Sequence, residues 1–376
     1  MKKILFITGT RADYGKMKPL MKKVEESNSL EAYIYVSGMH LIEVLGNTYK
    51  EVLKDGYKNV YVAYGLANTR IASYDLGNVI CNLTGYVKKL KPDMIVVHGD
   101  RIDALAGAAV GALNNILVAH VEGGELSGTI DESLRHSISK LSHVHFVCNA
   151  EAKQRLIQMG EMKQSIYIIG SPDIDIMLSE NLPCLDKAKE RYNIFFEKYA
   201  ILMYHPVTTE YEKLAGKIRE VVSAVIESDR NYIVIYPNND QGYEIILNEY
   251  KRFKGNKHFV LFPSIRFEYF LTFLKNAEFI IGNSSAGVRE ASVYGIPDID
   301  IGSRQERRYS LEISKNIQHV KENKMQIIEA IDKISEFAVS GSQFGNGSSS
   351  NAFIKVLSDI EVWNADIQKH FVDFNM

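Results

Sequence analysis

Residues 94–121 read MIVVHGDRIDALAGAAVGALNNILVAHV, and the fold turns on them. The runs 94–97 and 116–121 are continuously apolar and rich in Val, Ile and Leu, as strands buried on both faces are. Between them, 101–114 has helical spacing, and its AGAAVGAL core is nearly all small or apolar, so that helix must itself be buried. Strand, buried helix, strand is the repeating unit of a doubly wound α/β domain.

The same alternation extends in both directions. Upstream, apolar runs at 3–7, 33–36 and 59–63 are joined by stretches such as 13–26 with helical spacing, and 144–148 continues the series downstream. A second series follows at 200–204, 231–236, 258–262, 278–281 and 296–301. The expected architecture is α/β, two Rossmann-like doubly wound domains facing a cleft: residues 1–170, a linker over 171–197 marked by Pro172 and Pro183, and 198–350. The stretch 340–350, SGSQFGNGSSS, is a loop by composition, and 351–376 reads as a terminal helix able to pack back on the N-terminal domain.

Length and composition agree with this division. A chain of 376 residues suggests two domains, and 46% hydrophobic with 24% charged residues is ordinary for a folded enzyme. A formal net charge of −2 gives no electrostatic case for nucleic acid or an anionic membrane, so any anionic ligand must be held by local groups. Cys81, Cys148 and Cys184 have neither metal nor redox spacing, which fits a reduced cytoplasmic compartment. The opening MKKILFITG reads as a first strand and not as a signal peptide, and no apolar run reaches membrane-spanning length.

In open parallel sheets, ligands bind beyond the carboxyl ends of strands, so the loops there are the places to search. After the first strand, GTRADYGKMKPL (9–20) offers Arg11 and Lys16 to a phosphate, although neither GxGxxG nor GxxxxGK[ST] is present. After the fourth, HGDRIDAL places Asp100 beside Arg101, either as a functional acid or as a helix cap. After the fifth, HVEGGELSGTIDESLRH crowds Glu122, Glu125, Asp131 and Glu132 among glycines. Glu122 at a strand end and Asp131 in a first helical turn, with Arg135 four residues on, point to function. Glu125 and Glu132 read as solvated neighbours. His136, His143 and His145 lie scattered over a helix and a strand and read as structural, not metal-binding.

In the second half, YHPVTTE (204–210), YPNND (236–240) and PSIRFEY (263–269) each follow a strand. The best signal is GNSSAGVREA (282–291): Ser284, Ser285 and Gly287 at a helix start suit a diphosphate, and Glu290 suits ribose hydroxyls. The first domain thus offers carboxylates and the second phosphate cradles, a division that suits a nucleotide-linked substrate.

GTRADYGK, HGDRIDALAGAA, HVEGGELSGTIDESLRHSISKLSH, HPVTTE, GNSSAGVREA and GSRQ (302–305), in this order over almost the whole chain, resemble the hydrolysing UDP-N-acetylglucosamine (UDP-GlcNAc) 2-epimerases of bacterial sialic acid biosynthesis. The resemblance implies a glycosyltransferase-B-like fold, the conversion of UDP-GlcNAc and water to N-acetylmannosamine (ManNAc) and UDP, no cofactor or metal, and a cytoplasmic homo-oligomer, dimer or tetramer. It places the essential acids at Asp100, Glu122 and Asp131. Its substrate contacts fall on Arg11, Arg101, His205, Asn238, Ser284, Ser285, Glu290 and Arg304. Lys16, Arg135, Tyr269 and Gly287 join them as candidates from their own loops. Gly123, Gly124 and Gly128 are expected to let the backbone pass close to a sugar ring. Non-hydrolysing relatives carry GTRPE in the first turn and an HxRREN-type motif in place of HPVTTE, so both motifs favour the hydrolysing branch. The alternatives are a hydrolysing 2-epimerase of a UDP-2,4-diacetamido-6-deoxy sugar, a glycosyltransferase of the same architecture, and a non-catalytic nucleotide-sugar sensor.

Overall fold

A computed structural model describes residues 1–66, 69, 71–309, 314–341 and 344–373. The chain divides into two units. The first comprises Met1–Glu125, Asp131–Ser179 and Gln343–Met376, and the second Leu126–Ile130 and Glu180–Ser342.

The first unit is built on β1 (Lys2–Thr8), β2 (Leu30–Val36), β3 (Val60–Val62), β4 (Met94–His98), β5 (Leu117–Val121), β6 (Val144–Val147) and β7 (Ile166–Ile168). They pair in the order β3-β2-β1-β4-β5-β6-β7, every neighbouring pair parallel. Alternate residues of β1 face opposite ways, as the pleat requires. Ile4 and Phe6 enter one core with Met17, Leu20 and Val24, whereas Leu5 and Ile7 enter another with Val79, Leu83 and Val110. Both faces are therefore covered, which is why the strands read as unbroken apolar runs. Helix Ile102–Leu113 lies close on the sheet because its residues are small: a Cβ on Gly107 would come within 2.7 Å of Val97 Cγ1.

The second unit uses β8 (Ala200–Met203), β9 (Tyr232–Ile235), β10 (Phe259–Phe262), β11 (Ile280–Gly282), β12 (Asp298–Ile301) and β13 (Ile317–Val320). Their order is β10-β9-β8-β11-β12-β13, again all parallel. The expected pair of doubly wound sheets is thus present. Among the described residues, the strands outside the sequence pattern are β7 and β13, IYI and IQHV, short runs with one face half exposed.

The segment read as a linker is more structured than expected. Pro172–Met177 is a helix of the first unit and Leu185–Tyr192 a helix of the second. The expected terminal helix is shorter, running from Ser349 to Leu357 with a further turn at Ile360–Trp363. Phe353 and Leu357 bury it in the core beneath β1, and the described residues beyond it are non-helical. Among the described residues, no helix is long and apolar enough to cross a membrane.

Candidate functional site

Each sheet changes direction once. In the first, β1 leads outward to β2 and β4 leads the other way to β5, so the loops leaving β1 and β4 diverge and open the crevice in which α/β folds bind ligands. In the second, the same reversal falls between β8 and β11. Asp100 follows β4, His205 follows β8, and Asn283–Ser284 follow β11, so these residues stand at the reversal points, while Glu122 follows the neighbouring β5 and Asn238 the neighbouring β9.

Asp100 is not a helix cap. The cap position before Ile102–Leu113 is Arg101, whose side chain makes no capping bond, and the Asp100 carboxylate instead accepts from the Arg135 guanidinium. Arg135 is 1% exposed and also donates from Nη1 to the Glu122 carbonyl at 2.9 Å. Its Nη1 lies 3.9 Å from Glu125 Oε2. One buried guanidinium thereby gathers the ends of two adjacent strands, an arrangement suited to its planar fork of donors. Glu125 is corrected by this contact: it is 7% exposed, not solvated, because Arg135 compensates its charge. Glu132 is partly buried and 4.0 Å from His136.

Glu122 itself is 2% exposed and has a φ of +64°, in the left-handed region that non-glycine residues seldom occupy. Ser171 Oγ donates to its Oε1 at 2.7 Å and His98 Nε2 lies 3.4 Å from the same oxygen. The backbone is held off its preferred conformation while the carboxylate is tied in place, a pattern that collects at functional sites. Asp131 stands half-buried in the first turn of helix Ile130–Leu141, the helix that supplies Arg135. The three nearby glycines are packed closely by the protein itself. A Cβ on Gly123 would come within 2.9 Å of His120 Nδ1 and Ser139 Oγ, one on Gly124 would strike the Ala152 carbonyl, and one on Gly128 would strike that of Ser303. Their bare Cα atoms serve the packing of the protein on itself.

The loop after β1 is also internally committed. Thr10 caps helix Arg11–Glu25 by accepting from Asp13 N at 3.1 Å, and the Asp13 carboxylate accepts in turn from Thr10 N at 3.1 Å. Arg11 pairs with Glu51, and buried Lys16 lies 3.3 Å from Asp173, so both cations read as phosphate ligands already meet carboxylates. Beneath this loop, burial pushes the Asp103 carboxyl up to about 6, although Ser37 Oγ donates to it at 2.5 Å. Burial also holds His40 and His120 down at about 3, hence neutral at physiological pH.

In the second unit, Asn283 joins the loops that follow β8 and β12. Its side chain accepts from His205 N at 2.6 Å and donates to His205 O at 2.9 Å, while its own carbonyl accepts from Arg304 Nη1 at 3.2 Å and Gln305 Nε2 at 2.9 Å. His205 Nδ1 accepts from Asn238 N at 3.0 Å, which leaves the proton of the neutral ring on Nε2. Ser284 caps the short helix Ser285–Val288 by accepting from Ala286 N at 3.3 Å. A break at Arg289 follows, and Glu290 is buried beyond it. The free face of Gly287 turns toward the Asp298 carboxyl. Tyr269 is engaged elsewhere, against Tyr192 at 5.6 Å and under the Arg191 guanidinium at 5.0 Å.

The structure therefore joins Asp100, Glu122 and Arg135 in the first unit, and His205, Asn238 and Arg304 in the second. It adds Ser171 and Asn283, which sequence reasoning passed over, and Glu125, which it read as solvated. Ser171 opens the segment read as a linker, and only the remote contact to Glu122 distinguishes it. The histidines take structural partners: His143 Nδ1 accepts from Val118 N at 3.0 Å and His145 Nε2 lies 3.1 Å from Glu161. Among the described residues, no group of three or more His, Cys, Asp and Glu side chains is arranged to hold a metal ion.

The chain matches the UDP-N-acetylglucosamine 2-epimerase family model over residues 22–358. It is 47% identical over 381 residues to the UDP-N-acetylglucosamine 2-epimerase of Neisseria meningitidis serogroup B, with 100% of both chains covered. It is 34% identical over 312 residues to the UDP-N,N'-diacetylbacillosamine 2-epimerase (hydrolyzing) of Legionella pneumophila, covering 82% of this chain and 83% of that one. Among solved structures, Methanocaldococcus jannaschii UDP-GlcNAc 2-epimerase in complex with UDP-GlcNAc and UDP is similar with a TM-score of 0.81, over 95% of this chain and 99% of that chain. At 24% identity that likeness speaks for the fold, which is glycosyltransferase-B-like. By its family match and its full-length similarity, the chain belongs to the UDP-N-acetylglucosamine 2-epimerase family.

Proposed function

We propose that the protein is a hydrolysing UDP-GlcNAc 2-epimerase, converting UDP-GlcNAc and water to ManNAc and UDP in the cytoplasm as the first step of sialic acid biosynthesis. The observation that carries this reading is the gathering of Asp100 and Glu122 by one buried guanidinium at the ends of adjacent strands, beside the helix that bears Asp131.

The chemistry explains why acids are needed. The C2 hydrogen of the sugar has no carbonyl to acidify it, so its removal must accompany departure of UDP from C1. One carboxylate takes the C2 proton, the C1–O bond breaks as its electrons leave with UDP, and a C1=C2 double bond forms, giving 2-acetamidoglucal. The ring is oxocarbenium-like on the way, and a second carboxylate stabilises it as in glycoside hydrolysis. Water then adds to C1, and a proton returns to C2 on the opposite face. Each positioned proton-transfer group contributes on the order of 10²–10⁴-fold, or roughly 3–5 kcal/mol.

The second unit is assigned the nucleotide. A proton on His205 Nε2, the Arg304 guanidinium and the Ser284–Ser285 turn together suit the charge that develops on departing UDP. HPVTTE supports the hydrolysing branch, as does the hydrolysing activity named for the Legionella relative. GlcNAc is favoured over a diacetamido sugar by the higher identity to the Neisseria enzyme, 47% against 34%.

Incubation with UDP-GlcNAc in D2O, followed by NMR, tests the reading. Free ManNAc with deuterium at C2 is the expected product. UDP-ManNAc would assign the protein to the non-hydrolysing branch, and unchanged UDP-GlcNAc alongside turnover of a UDP-diacetamido sugar would reassign the substrate.

A further inference from the structure

Helix Ile130–Leu141 carries Asp131 in its first turn and Arg135 in its second, so the placement of both side chains follows that of this helix. The last carbonyls of any helix lack partners within it. Here a residue from the far end of the chain supplies them: Lys369 Nζ donates to Ser139 O at 3.2 Å and to Lys140 O at 2.9 Å. The same ammonium meets Glu161 Oε2 at 2.6 Å, and Glu161, 2% exposed, also pairs with Lys140 at 2.7 Å and His145 at 3.1 Å. A cation at a helix C-terminus is favoured by the helix dipole, and burial strengthens the effect.

The segment around Lys369 is fastened on either side. His143 Nδ1 accepts from Val118 N, so its Nε2 carries the proton toward Ile367 O, 3.1 Å away. Val372 N donates to Gly160 O at 3.1 Å, and Lys140 Nζ lies 5.3 Å over the Phe371 ring. From the capped turn a second route leads to the acids. Ser139 Oγ lies 2.9 Å from His120 Nδ1, and His120 Nε2 lies 2.8 Å from the carbonyl of Gly99, the residue before Asp100.

We propose that residues 367–372 form a clasp in which Lys369 is a positioning residue for the acid site. It caps helix Ile130–Leu141 and thereby sets the reach of Arg135 to Asp100 and the placement of Asp131. The inference rests on the assignment of Asp100, Glu122 and Asp131 as the working acids.

The test compares full-length Lys369→Met, Lys369→Arg and Asp131→Asn with wild type for kcat, KM, UDP affinity and amide exchange. In Lys369→Met, kcat is expected to fall by ~10-fold or more, since small misplacements of reacting groups are costly. KM and UDP affinity should change little, exchange over 135–141 should accelerate, and Lys369→Arg should recover most of the lost kcat. Wild-type kcat in Lys369→Met, with Asp131→Asn inactive, overturns the clasp alone. A fall in kcat matched by an equal fall in UDP-binding protein also overturns it, because that is a loss of fold. Full activity in Asp131→Asn would instead remove the assignment beneath it. If Lys369→Met does not accumulate folded, Phe371→Ala loosens the same segment and is judged by the same outcomes.

Discussion

Because Arg135 is 1% exposed, its guanidinium must find its partners inside the protein, and it finds Asp100 and the Glu122 backbone. Truncating one member of a buried pair strands the other charge, at a cost of roughly 3–5 kcal/mol. Arg135→Met is therefore expected to lose about that much stability in urea unfolding, with almost no turnover. Arg135→Lys, which keeps the charge but not the fork, should remain folded and still lose most of kcat. Asp100→Asn, Glu122→Gln and Asp131→Asn should also fold, with kcat down by ~10²–10⁴-fold; near-normal turnover in any one removes that residue from the mechanism. Asp103 behaves differently, because nothing cationic offsets its burial enough to keep the carboxyl at its ordinary value, and it is raised to about 6. A raised carboxyl binds its proton more tightly in the folded state, so its stabilising effect is complete below about 4 and is lost as pH rises through about 6. Asp103→Asn should thus match wild type near pH 4 and exceed it at pH 7, by up to ~3 kcal/mol. A difference in melting temperature that does not grow between those pH values would contradict this.

At the scale of elements, strands buried on both faces were legible from composition, since β1, β4, β5 and β8 show nothing but apolar side chains at most positions. Two of the four edge strands, β7 and β13, were not, because one face of IYI or IQHV can remain polar or exposed without penalty, whereas the edge strands β3 and β10 kept enough apolar residues to be read. The candidate acids stood out because Asp100 and Glu122 follow apolar runs and Asp131 opens a helical pattern. Their organisation did not: Arg135 looked like a partner for Asp131, four residues away, but reaches Asp100 across 35 residues, and Lys16 meets Asp173 across the first unit. No local pattern encodes such contacts. The pairing of β8 with β11 shows how one residue can decide an element. Gly282 has a φ of +139°, and a Cβ there would strike the Met203 carbonyl on the adjoining strand. Gly282→Ala must either strain its own backbone or part the two strands, for a loss on the order of 1–3 kcal/mol. Because His205 and Asn283 leave these strands together, UDP affinity should fall in the same variant, by calorimetry, while the helix Ile130–Leu141 keeps its exchange protection. Unchanged affinity would show that the His205–Asn283 pair tolerates such a shift.

At the scale of the molecule, each unit has its own sheet, its own core and its own set of loops at a reversal of strand order, so the two should respond separately to ligand. The assignment of nucleotide to the second unit and of the acids to the first makes that separation measurable. A ligand stabilises what it binds by RT ln(1 + [L]/Kd), about 2.7 kcal/mol at one hundred times Kd. UDP should therefore raise the stability of the wild-type protein, with protection from hydrogen exchange concentrated in residues 200–304. His205→Ala removes the imidazole that Asn238 N orients and should weaken this protection. Asp131→Asn, expected to be inactive, should retain it in full, because UDP lacks the sugar on which that acid is proposed to work. Equal loss in both variants would mean that the acids take part in holding the nucleotide, and the division of labour between the two sheets would have to be redrawn.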